Sequence, residues 1–74
     1  MTDEEIIRPR VDEVKRLYKH GDRIECIHME DKAAVPTGTK GTVDFVDAIG
    51  QIHVKWDNGR ALALIPELDK FKKI

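Results

Sequence analysis

Between Pro36 and Pro66 the chain reads PTGTKGTVDFVDAIGQIHVKWDNGRALALIP, a series of strand-like runs parted by glycine turns. Asp57-Asn58-Gly59 is a strong hairpin signal, because Asn and Gly tolerate the left-handed backbone that tight turns demand. The run before it alternates cleanly, with Ile52, Val54 and Trp56 on one side and His53 and Lys55 on the other. The preceding run, residues 40–47, sets Val43 and Phe45 against Thr42, Asp44 and Val46. The run after the turn, residues 60–65, points Leu62 and Leu64 inward. It stops at Pro66, which has no N–H to give to a ladder. Such punctuation confines the chain to short antiparallel strands joined in sequence.

Upstream, residues 23–29 form another strand, with Ile24 and Cys26 on one face and Ile27 and Met29 on the other. Apolar residues on both faces call for a bulge or for a helix covering the back of the strand. Residues 30–39 make a long loop that contains Pro36 and Gly38, and loops of that length are often binding loops. Residues 67–69 read as a single tight turn and residues 70–74 as a last short strand or tail. Before all of these, residues 9–19 read as a helix that starts at Pro9 and stops before Gly21. Its stripe of Val11, Val14, Leu17 and Tyr18 is too short to be stable alone and must dock, either across an open end of the barrel or on a second copy or a partner. The predicted fold is mainly β: a small five-stranded SH3-like barrel over residues 22–74, preceded by a helical extension over residues 1–21.

The chain has 74 residues, enough for one small core. Its 13 basic and 14 acidic side chains leave a net charge of −1, so no whole-protein field draws phosphate or anionic lipid. The single cysteine, Cys26, excludes an internal disulfide and suits a reducing cytosol. The run from Ala61 to Ile65 is too short to cross a bilayer, and MTDEEII lacks the apolar core of a secretory signal. A cytoplasmic protein with no membrane partner is the expectation.

Soft metal ligands are limited to Cys26, His20, His28 and His53, without the spacing of a structural zinc site. For nucleophilic catalysis there is one cysteine and no serine. A Cys26-His53-Asp57 relay has nothing in its spacing to support it, and so small a barrel offers little concavity for a substrate. The chain is therefore read as a non-enzymatic module without metal or cofactor.

The hexapeptide Gly38-Thr39-Lys40-Gly41-Thr42-Val43 resembles the glycine-centred turn and strand of KOW-like and other SH3-like barrels. A longer ordered set runs from Gly21-Asp22-Arg23 through Met29-Glu30-Asp31 and Pro36-x-Gly-Thr-Lys-Gly-Thr-Val to Gly50-Gln-Ile-His-Val-Lys-Trp-Asp-Asn-Gly59. It continues with Leu62-Ala-Leu-Ile-Pro66 and Asp69-x-Phe71. This set resembles a small bacterial family, the domain of unknown function 4314, found mainly in phages and mobile elements of Gram-positive bacteria. The resemblance covers about residues 20–72 and leaves the helix outside it. Asp31-Lys32-Ala33-Ala34 lacks the proline and aromatic residue that members often show in this loop. The resemblance implies a fold and a habitat, and no activity.

The expected role is protein binding by a long loop and a barrel rim, as a monomer or weak homodimer, with Lys32, Val35, Thr37, Lys40, Lys55 and Arg60 as candidate contact residues. Val35 and Pro36 have the competing role of a lid folded back on the core. Nucleic-acid binding is the alternative, drawn from the KOW-like likeness and from Lys40, Lys55, Arg60 and the Lys70/Lys72/Lys73 tail. It is weakened by the placing of Phe45 and Trp56 on core faces, which leaves few rings for bases to stack on.

Overall fold

A computed structural model describes residues 11–74. It contains one helix, α1 (Val11–Leu17), and five strands: β1 (Arg23–His28), β2 (Lys40–Val46), β3 (Ile52–Trp56), β4 (Ala61–Leu64) and β5 (Lys70–Lys73). All neighbours are antiparallel, and the sheet order is β4-β3-β2-β1-β5. The described residues are thus mainly β with one short helix, as the glycine punctuation predicts. Pro9 and Arg10, the predicted first residues of the helix, lie outside the described residues.

The sheet is not closed. β4 and β5 are its two edges, with three strands between them, and residues 65–69 join them. Flat, such a sheet would hold its edges roughly 19 Å apart at the usual strand spacing. The joining segment is a turn in which Ile65 O accepts from Leu68 N (2.9 Å) and Asp69 N (2.8 Å). A turn of this kind keeps its ends within roughly 7 Å. The sheet therefore has to curl strongly, although no ladder seals it.

Both hairpins of the central stretch are built alike. Trp56 N donates to Arg60 O (2.8 Å) and Gly59 N to Trp56 O (3.0 Å), while Asp47 N donates to Gln51 O (3.0 Å) and Gly50 N to Asp47 O (3.1 Å). Gly59 and Gly50 take φ of 89° and 88°, and no non-glycine residue has positive φ among the described residues. These are three-residue loops closed by a left-handed glycine, and Asn58 keeps ordinary backbone.

Ile24, Cys26, Val43, Ile52, Val54, Trp56 and Leu64 form the core, joined by Met29 and Val35, and Val14 and Tyr18 pack against it. Trp56 lies opposite Gly41. A Cβ on Gly41 would stand 2.8 Å from the indole and 2.6 Å from Val54 Cγ1, so the ring has its place because the facing residue has no side chain.

The structure departs from the predicted facing at one aromatic residue. Register slips between Val43 and Phe45, and this bulge turns Phe45 outward, leaving it 50% exposed instead of in the core. Its ring lies flat against His53 (4.2 Å between centroids, 6° between planes). A second slip, between Cys26 and His28 against β5, resolves the two-faced apolarity of β1. Met29 is buried and Ile27 faces out.

Candidate protein-binding groove

α1 turns Val14 and Leu17, with Tyr18 just beyond its end, toward β1 and the β4–β5 turn. With Ile27, Pro66 and Phe71 they line an open groove of about 680 Å³, bordered by the exposed side chains of Glu13, Glu67 and Lys70. Leu17 and Ile27 are 45% and 41% exposed. Two large aliphatic side chains left in water along one groove mark apolar surface that folding has not covered.

The walls are held in place. The Tyr18 and Phe71 rings meet edge to face at 5.4 Å. Lys73 Nζ lies 5.7 Å from the Tyr18 ring centre and 3.2 Å from Asp22 Oδ2. The same Asp22 oxygen accepts the Lys19 N–H (2.9 Å), and the helix stops at Leu17, short of the predicted residue 19. Below the groove, Asp69 is 8% exposed and uses both carboxylate oxygens. Oδ2 accepts Ile65 N (2.7 Å) and Oδ1 accepts Glu30 N (2.8 Å). It fastens the β4–β5 turn to the end of β1.

Of the predicted contact residues, Val35 is 3% exposed and belongs to the core, so it offers no side chain to a partner. Its loop is stitched along β1: Gly38 N donates to Cys26 O (2.8 Å), Cys26 N to Thr39 O (2.8 Å) and Thr37 Oγ1 to Ile27 O (2.8 Å). That stitching makes Val35 the lid and leaves Lys32 and Thr37 exposed on the loop. Lys40 and Lys55 are exposed on the outer face of β2 and β3, and Arg60 is exposed where the β3–β4 hairpin ends. Lys40 and Lys55 are diagonal neighbours on the β2–β3 ladder, whereas Thr37 sits in the loop beside Ile27 of β1.

Two cations beside Lys40 and Lys55 have acidic partners. Arg23 makes a two-point bridge to Asp57 (2.7 and 2.8 Å), and Lys72 stands 3.9 Å from Glu25. Asp57 is held below the usual carboxylate range, first by the Arg23 hydrogen bond. Asp47 is lowered chiefly by His53, whose Nε2 donates to its Oδ2 at 2.8 Å, and Asp22 by the Lys19 N–H and then Lys73. A lowered carboxylate stabilises the fold above its unfolded value of about 3.9, and that contribution is lost as pH falls through the folded value. Melting temperature is therefore expected to hold steady down to roughly pH 4 and to fall below it. Asp57→Asn should flatten that fall, and an unchanged profile would disprove the part given to the Arg23 bridge.

Cys26 is fully buried, and burial, followed by the charge of Asp69, pushes its thiol up. His53 is engaged by Asp47 and Asp57 by Arg23, so the members of the conceivable relay are each committed elsewhere. No group of three or more His, Cys, Asp or Glu side chains suited to a metal ion occurs among the described residues. None of their helices is long and apolar enough to cross a membrane.

The sequence of a family described as "Domain of unknown function (DUF4314)" matches the chain over residues 7–74. The chain belongs to this family. The match takes in α1 and so reaches further toward the N-terminus than the resemblance over residues 20–72. No curated protein and no solved structure matches the chain.

None of the contact residues expected from sequence lies on the groove, although two signals point there. The helix stripe has a partner as its alternative dock, and Ile27 is an apolar residue on the wrong face of β1. Phe71 and Pro66 complete the groove through the β4–β5 turn; residues 67–69 predict that turn, but which side of the sheet it sets them on is not a local property.

Proposed function

We propose that this DUF4314 domain is a non-enzymatic binding module that takes a protein segment in the groove between α1, Ile27 and Phe71. The observation that carries this reading is the pairing of half-exposed Leu17 and Ile27 in one groove of rigid apolar walls. The segment that fits presents two or three apolar side chains. Acidic residues on the border, Glu13 and Glu67, oppose phosphate, which favours protein over nucleic acid here. Arg23 and Lys72, beside Lys40 and Lys55, are spent on Asp57 and Glu25, which lowers the charge that face offers to phosphate. The habitat that the family likeness implies, phages and mobile elements, makes a host or element-encoded protein the natural partner.

Peptide display on the full chain, followed by amide-shift mapping of a selected peptide, tests the reading. Selected peptides should be apolar-rich and should shift Leu17, Tyr18, Ile27 and Phe71. Ile27→Glu, at an exposed position, should leave the fold intact and weaken binding at least tenfold. Shifts confined to the Lys40–Lys55 face would overturn the proposal, as would oligonucleotide binding that falls steeply with salt.

A further inference from the structure

The other edge of the sheet has a different character. Trp56 N bonds Arg60 O, and register continues as Lys55–Ala61, Val54–Leu62, His53–Ala63 and Ile52–Leu64. Hydrogen-bonded and open pairs alternate along an antiparallel ladder, so Val54–Leu62 and Ile52–Leu64 are the bonded pairs. The main-chain N–H and C=O groups of Ala61 and Ala63 consequently face away from β3. Among the described residues β3 is the one strand or helix that β4 touches. Apart from its shortness, β4 carries no protection of an edge: no charge, no bulge and no internal proline. β5, the opposite edge, carries Lys70, Lys72 and Lys73.

We infer that β4 is a homodimer edge, on which a second copy of this chain pairs antiparallel about a two-fold axis at Leu62. The pattern is self-complementary in that register. Ala61 bonds Ala63 of the second copy and Ala63 bonds its Ala61, while Leu62 meets its own counterpart at the axis. No charge opposes a like charge, and the alanines on the outer face let the strands approach. A β5–β5 pair would instead set lysine against lysine, and a β4–β5 pair would leave free edges and grow without closing. Two curled sheets then form one ten-stranded sheet whose outer edges are the lysine-bearing strands. An interface of one short strand is far below the area of a stable dimer, so association is weak and concentration-dependent.

Sedimentation velocity on the full chain, at low salt and up to the millimolar range, tests this. The expected result is a monomer–dimer equilibrium in the high-micromolar range or weaker. Ala61→Glu with Ala63→Glu places like charges opposite one another across the axis, and should weaken association several-fold. Ala61→Glu with Ala63→Lys places opposite charges there, and should strengthen it several-fold. Within the chain both pairs face Lys55 and His53, and circular dichroism should show both variants folded. A wild-type chain monomeric at every concentration overturns the inference, and so do two variants that shift association alike. Ile27→Glu, in the groove, should leave the equilibrium unchanged, which separates this edge from the binding site proposed above.

Discussion

A Trp56→Ala chain should be unfolded at ambient temperature. The indole is 3% exposed, faces Gly41 across the β2–β3 ladder, and donates from Nε1 to Leu62 O at 3.0 Å. Its removal empties the space that Gly41 leaves, strips contacts from Val54 and withdraws the donor from a β4 carbonyl. Loss of a buried Trp costs about 3–5 kcal/mol. A domain of this size has roughly that much stability in total. Loss of tryptophan fluorescence rules out the native probe, so far-ultraviolet circular dichroism and amide dispersion are the readouts. A folded Trp56→Ala protein with a cooperative melt would show that the core is not organised around this ring.

Asp69→Ala should be the next most damaging change, at roughly 2–3 kcal/mol. It deprives Ile65 N and Glu30 N of their acceptor together, and so frees the β4–β5 turn from the end of β1. For a domain this small the melting temperature should drop by roughly 10–20 °C. Asp69→Asn keeps one carbonyl oxygen and can serve one of the two donors, so it should fall between wild type and alanine. An asparagine variant as stable as the wild type would show that one of the bonds contributes nothing.

The strands and turns were legible because their signals are local. Gly50 and Gly59 take left-handed backbone in loops flanked by alternating apolar residues, and strand bounds fall within a residue or two of those predicted. The facing of Phe45 was not legible. A bulge depends on how β3 pairs with β2, and Val43-Asp44-Phe45 reads as plain alternation. Asp69 was equally silent, since its role rests on Glu30, far away in sequence. The candidate groove lay between these cases. Its helix stripe showed in the spacing of Val14, Leu17 and Tyr18, whereas the arrival of Ile27, Pro66 and Phe71 beside that stripe is a product of curl and topology. Loop residue Val35 gave both of its readings at once, and the hydrogen bonds that stitch its loop along β1 decide for the core.

Ile74 N donates to Arg23 O at 3.0 Å, and Lys73 pairs with Asp22 one residue back. The chain therefore leaves the sheet at the point where it came in. Because β1 and β5 run antiparallel from that point, a force drawing Arg23 and Ile74 apart opens their ladder one bond at a time and does not shear it.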